Sequence, residues 1–285
     1  MKKAVIGYIY CEKKLQRDEK IFLRLAKKNS IEMVMFNAFD NLDEEEIENE
    51  IKRCDIIFNN SAEEIAIELV KTIEELGGKV IDPSKIYYYI EDKWMFFLKC
   101  KENKIPTPET ILLSESINTA VEQLKSFGKW PVVLKRVSGT RGEYVDKADN
   151  PNDARKVIKR FWEKGDDRLP IIAQELIHSP CYRVTVVGEK IVQTAVKNTK
   201  DWKATGEHSK TLEEFTIDDE LEKIIKKVTK VSGISVCGID FLKKDGKWVV
   251  LEVNAEPGFD FFENQREKLI EETLIFLKGK IKNRR

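Results

Sequence analysis

Residues 235–254 read SVCGIDFLKKDGKWVVLEVN. Two apolar runs of strand length flank Asp245-Gly246, a dipeptide that favours tight hairpin turns. Each run is interrupted by side chains foreign to a core: Asp240 in the first, Glu252 and Asn254 in the second. Strand residues alternate faces, so Glu252 and Asn254 share one. A two-residue turn pairs Lys244 with Lys247 and points Asp240 away from them. A three-residue loop, Lys244-Asp245-Gly246, pairs Lys243 with Lys247 and brings both carboxylates to one side. A carboxylate buried alone is costly, so an odd loop is expected. Two carboxylates and an amide oxygen then make a hard-oxygen set suited to Mg²⁺ bridging substrate phosphates. The alternative is an exposed polar sheet face that binds nothing.

The first 90 residues alternate strand and helix patterns. AVIGYIY (4–10), IEMVMF (31–36), DIIF (55–58) and KVID (79–82) are apolar runs of strand length. Residues 15–28 and 62–76 carry apolar side chains at helical spacing, the second set stopped by Gly77-Gly78. This βαβ order predicts a small parallel sheet with helices on both faces. Ligands on such sheets bind beyond the carboxyl ends of the strands, where Asn59, Asn60 and Ser61 stand. An Asn helix cap is the alternative there. Pro83 opens a helix expected to run to about residue 104, and PTPET (106–110) reads as a rigid linker. Beyond it the pattern is β-rich, with helices expected at 116–127, 151–164, 218–232 and 263–278. The expected class is α/β: a parallel-sheet domain over about the first 90 residues, then an α+β region.

WPVVLKRVSGTRGEYV (130–145) is a strand, a glycine-containing loop and a second strand. Gly139 and Gly142 let backbone approach a polyphosphate, Thr140 offers a hydroxyl and Lys135 a positive charge. GxxxxGK[ST] is absent, so this is no P-loop. A hairpin without a ligand is the alternative. QELI (174–177) ends an apolar run and would expose backbone groups to a base edge; an ordinary strand end is the alternative.

The charge balance narrows the partners. Fifty basic residues offset fifty acidic ones, which argues against bulk attraction to nucleic acid or an anionic membrane. Five cysteines without a CxxC pair fit reduced thiols in a cytoplasm rather than a disulfide frame or zinc site. MKKAVIGYIYCE reads as a first strand, not a signal peptide.

Taken in order, Lys135, the GTRG loop, QELI, GIDFL and LEVNAEPG resemble the ATP-grasp superfamily, most closely its RimK-type carboxylate–amine ligases. The likeness covers about residues 80–265 and implies a Rossmann-like pre-ATP-grasp domain over 1–90, followed by an ATP-grasp domain of two subdomains, 91–172 and 173–285. It implies ATP and Mg²⁺ (or Mn²⁺) as cofactors. By the same likeness, Lys93 and Lys135 reach the phosphates, and Gly139, Thr140 and Gly142 close over them. Gln174, Glu175, Leu176 and Ile177 form the adenine-binding hinge. Asp240, Glu252 and Asn254 hold the metal. Arg183 lies near the transferred group, and Lys203, in DWKATG, lies near the acceptor. The implied partners are a small-molecule carboxylate and an amine, with a dimer or tetramer as the assembly.

Three positions depart from the family pattern. Cys181 stands where an acid commonly meets ribose. GEHSKTLEEF has only Gly206 where a Gly-Gly is frequent. Asn59-Asn60 replace an arginine that often follows the third strand. The expected chemistry is carboxylate activation as an acyl phosphate, followed by amine attack. A small-molecule kinase and a non-catalytic nucleotide-binding module are the alternatives. His178 and His208 are expected on the surface, outside catalysis.

Overall fold

The computed structural model describes residues 3–40, 43–139, 144–164, 168–198, 202 and 211–282. The chain begins with β1 (Ala4–Tyr10), α1 (Arg17–Lys28), β2 (Ile31–Asn37), α2 (Glu44–Arg53), β3 (Ile56–Asn59), α3 (Glu64–Glu75) and β4 (Val80–Ile81). These strands form a parallel sheet in the order β2-β1-β3-β4. Strands β1 and β3 are buried on both faces, as a sheet covered by helices requires.

The helix expected after Pro83 is two helices, α4 (Ser84–Ile90) and α5 (Lys93–Glu102). Asp92 divides them. Its carboxylate accepts from the Trp94 and Met95 amides and so caps a new helix start. The break places Lys93 at the first position of α5, with its amide donating to the Val137 carbonyl at 2.8 Å.

The middle of the chain holds β5 (Thr110–Leu112), α6 (Ile117–Phe127), β6 (Val132–Arg136), β7 (Val145–Ala148), α7 (Pro151–Glu163) and β8 (Ile171–Glu175). Their sheet runs β5-β8-β6-β7 and is antiparallel. Val132, Leu134, Ile171 and Ala173 pack into one core with α6 and α7. Alternation turns Val133, Lys135, Ile172 and Gln174 to the opposite face.

The last part comprises β9 (Cys181–Val187), β10 (Lys190–Asn198), β11 (Thr211–Glu213), α8 (Asp219–Ser232), β12 (Val236–Lys244), β13 (Lys247–Asn254) and α9 (Glu263–Lys282). The sheet order is β11-β10-β9-β12-β13, again antiparallel. One face buries Ile239, Phe241, Trp248, Val250 and Val253 in the main core, which also includes side chains of α3, α4 and α8. Helix α9 returns to the first sheet, where Leu269, Ile270 and Leu274 pack with Ile6, Tyr8 and Phe22.

The hairpin overturns one expectation. Its loop is even, not odd: Lys244 pairs with Lys247 around Asp245-Gly246. Both turn residues have positive φ, 51° and 77°, the conformation that an Asp-Gly turn accommodates. The odd residue lies in the strand instead. Phe241 pairs with Val250 and Asp240 with Glu252, which leaves Leu251 as a β-bulge. The bulge restores the facing that the turn withholds.

Candidate active site

The face of the last sheet opposite the main core carries the polar residues. Asp240 stands directly across from Glu252 on one side and from Arg183 on the other. Arg183 Nε lies 2.9 Å from Asp240 Oδ1. Asn254 Nδ2 donates to Asp240 Oδ2 at 3.4 Å, which leaves the Asn254 amide oxygen for another partner. Gly238 makes room for this arrangement, since a Cβ there would fall 1.8 Å from Arg183 Nη1. Among the described residues, that buried Nη1 has no hydrogen-bond partner.

One residue of this cluster is absent from the sequence reading. Lys197 on β10 is 4% exposed and holds its ammonium 3.2 Å from Asp240 Oδ1. Burial alone would push the Asp240 carboxyl up. Arg183 and then Lys197 outweigh it and hold the group below its ordinary range. The aromatic ring of Phe261 lies 5.6 Å from the Arg183 guanidinium and 5.3 Å from the Lys197 ammonium.

Cys181, which stands where the family commonly has an acid, is a core residue. It is fully buried at the start of β9 and packs with Leu242 and Val249. Burial, first, and the Asp240 charge push its thiol well above the ordinary range. Asn59 is also buried: its amide donates to the Ser61 carbonyl and the Tyr87 hydroxyl. Asn60 donates to the Tyr8 hydroxyl at 2.9 Å. Neither Asn caps α3, whose N-cap is Glu63. His178 is exposed, as expected.

A cleft runs from this cluster along the middle sheet. Near Asp240 it is lined by Lys93, Lys135, Phe97, Gln174, Leu251 and Glu252. It continues into an open-sided cavity lined by Val133, Val145, Leu176, Ile177, Trp202, Leu242 and Leu251. One end is therefore cationic and the other apolar. The bulge at Leu251 serves both, because two successive residues, Leu251 and Glu252, face the cleft.

Lys135 is buried, and its ammonium donates to Gln174 Oε1 at 2.9 Å. Burial pushes its pKa down to about 8, with Glu252 opposing the shift and Lys93 adding to it. Lys93 Nζ donates to the Gly139 carbonyl at 3.0 Å, where Gly139 has φ +134°. Thr140, Gly142, Lys203 and His208 lie outside the described residues.

The hinge residues divide in role. Glu175 is committed to structure. Its amide donates to the Glu109 carbonyl, and its carboxylate accepts from the Glu109 amide and from Lys244 Nζ at 2.7 Å. It thereby ties the middle sheet to the last one. Leu176 and Ile177 follow the strand end and line the cavity. Glu91, at the junction of α4 and α5, is a further acid beside this region. Burial pushes its carboxyl up to about 7; Lys93 opposes this, and Glu256 and Glu252 add to it.

The residues present fit a divalent metal and a nucleotide. Among the described residues no three His, Cys, Asp or Glu side chains cluster as ligands. Asp240 and Glu252 would hold an ion with the Asn254 amide oxygen and phosphate oxygens, the mode a hard cation prefers. Arg183 Nη1, buried without a hydrogen-bond partner among the described residues, and the buried Lys135 ammonium are donors suited to a phosphate or carboxylate oxygen. No helix among the described residues is long and apolar enough to cross a membrane.

The chain is 24% identical over 210 residues to a probable alpha-L-glutamate ligase of Haemophilus influenzae, covering 72% of this chain and 68% of that one. It is 26% identical over 219 residues to the coenzyme gamma-F420-2:alpha-L-glutamate ligase of Methanocaldococcus jannaschii, covering 73% and 74%. The crystal structure of a RimK domain ATP-grasp protein from Sphaerobacter thermophilus superposes with a TM-score of 0.74 at 15% identity, covering 96% of this chain and 98% of that one. The RimK-like ATP-grasp domain model matches residues 90–276, and the chain is a member of that family.

Proposed function

We propose that this protein is an ATP- and Mg²⁺-dependent ligase that activates a substrate carboxylate as an acyl phosphate and joins it to an amine. The observation that carries the reading is the shared face of Asp240, Glu252 and Arg183 at the cationic end of a cleft whose other end is apolar. The adenine fits between Val133, Ile177 and Leu251, its edge read by backbone at Leu176 and Ile177. Glu175 supports that segment through its clamp on Lys244. Lys93 and Lys135 hold the phosphates, with Gly139 and, by family likeness, Thr140 and Gly142 above them. Magnesium at Asp240, Glu252 and Asn254 would neutralise phosphate oxygens during transfer.

Arg183 is placed for the step that follows. When the substrate carboxylate attacks the γ-phosphorus, ADP leaves and an acyl phosphate forms. The amine then adds to the acyl carbon, and the free Nη1 of Arg183 offers a donor to the resulting oxyanion. Phosphate departs and the amide remains. No protein nucleophile is required. Lys203 is the candidate for the acceptor side. The two relatives are named as glutamate ligases, which supports an amino acid as one substrate. A pathway that stops at a stable phosphoester is the second reading, and nothing in the cleft favours it.

Hydroxylamine trapping tests the proposal. The protein is incubated with ATP, Mg²⁺, hydroxylamine and pools of amino acids or small carboxylates. Hydroxamate formed together with ADP is the expected result. A stable phosphoester in its place, or ADP formation that no carboxylate stimulates, would overturn the ligase reading.

A further inference from the structure

Asp240 is the most enclosed carboxylate of the site, and both its oxygens are already engaged. Lys197 Nζ lies 3.2 Å from Oδ1 and 3.5 Å from Oδ2. Arg183 Nε approaches Oδ1 at 2.9 Å, and Asn254 Nδ2 donates to Oδ2. The side chains of Asp240, Lys197 and Arg183 are 1%, 4% and 10% exposed, so water screens none of these charges well. A divalent ion that reaches Asp240 must meet two positive charges already there.

The two cations differ in their freedom to yield. The Arg183 guanidinium fills the space above Gly238 and presents a planar fork of fixed geometry. Lys197 carries a compact ammonium on a flexible four-carbon stem, with the Phe261 ring centre 5.3 Å from it. On this basis we propose that Lys197 is a resident counter-ion that competes with divalent metal for Asp240, so that metal enters the site together with nucleotide phosphates rather than before them. The phosphates give the displaced ammonium a new anionic partner. Metal alone gives it none and leaves it stranded in a buried site, which is unfavourable. The inference rests on Asp240 and Glu252 being the metal ligands.

Mn²⁺ binding without nucleotide, followed by electron paramagnetic resonance, tests it. Lys197→Gln keeps a hydrogen-bond donor near Asp240 but removes the charge. It is expected to bind Mn²⁺ about tenfold more tightly or better than the unaltered protein. Lys197→Arg keeps the charge and is expected to bind like the unaltered protein. Equal or weaker binding by Lys197→Gln overturns the inference while leaving the metal site standing. Adding Glu252→Gln to Lys197→Gln should abolish the gain. If the gain persists, the ion lies elsewhere and the metal assignment falls as well. A second measurement needs no variant: Mn²⁺ and a non-hydrolysable ATP analogue together should raise the melting temperature by more than the sum of their separate effects. An equal rise with Mn²⁺ alone would also overturn the proposal.

Discussion

Gly238 and Arg183 compete for one volume: a Cβ on residue 238 would stand 1.8 Å from Arg183 Nη1 and 2.7 Å from its Cζ. Gly238→Ala therefore drives the guanidinium off Asp240. Overpacking of this kind costs about 1–3 kcal/mol of stability. Loss of the proposed oxyanion donor should lower kcat about 100-fold or more. Nucleotide affinity should change far less, because the cleft along β6 and β8 is untouched. Steady-state kinetics beside an ATP-binding isotherm checks the contrast.

The two carboxylates are not equivalent as targets. Glu252 is partly exposed, and Glu252→Gln should remove a metal ligand at little cost to the fold. Loss of several kcal/mol of transition-state neutralisation corresponds to a fall in turnover of about 100-fold or more. Asp240→Asn leaves Lys197 and Arg183 buried without their counter-charge, a change that costs about 3–5 kcal/mol. Melting curves of both variants should separate widely, and near-normal turnover in Glu252→Gln would refute its role.

With Lys135 holding phosphate as proposed, nucleotide binding should depend on pH. The lysine's ordinary pKa of 10.5 is pushed down to about 8 by burial, with Glu252 opposing and Lys93 assisting. Below pH 8 the ammonium is charged and attracts phosphate. Above it, binding must take up a proton, so affinity for ATP weakens as pH rises from about 8 towards 10. The sign for folding is opposite: the unfolded chain holds the proton more tightly, so this group's burden on stability is full below pH 8 and is relieved towards 10.5. Isothermal titration at several pH values checks the binding trend, and Lys135→Arg should flatten it because arginine keeps its charge.

Glu175 accepts hydrogen bonds from Glu109 on one side and Lys244 on the other. Glu175→Ala removes a tie between two sheets and should cost about 1–3 kcal/mol. The base pocket should loosen with it, raising the dissociation constant for ATP severalfold while the metal requirement stays the same.

Much of the framework is legible in periodicity. The first sheet, helix α6 with its left-handed Gly128 cap, and helices α7 and α8 appear where the apolar spacing puts them. Helix α2 escapes because DEEEIENEIKR offers only Ile47 and Ile51 against a run of charges. The division at Asp92 escapes because α5 shows almost no preferred apolar face, so its period carries no boundary. Its signal is the capping acid before Lys93. Of the site, the strands that carry Asp240 and Glu252 are legible and the bulge is not. An extra strand residue answers to packing on both faces of the finished sheet. Lys197 is equally hidden: in QTAVKN both strand faces carry polar groups, so the alternation does not say which points inward.

The bulge also sets where the chain can be lengthened. Phe241, Val250 and Trp248 lock the strands in the core on the near side of Leu251, so the alignment of Asp240 with Glu252 does not depend on the Asp245-Gly246 tip. Gly246 has nothing within 4 Å of where a side chain would begin. Foreign peptide spliced between those two residues, such as an epitope tag or a fluorophore-attachment sequence, should leave the metal ligands aligned and give a handle close to the nucleotide hinge.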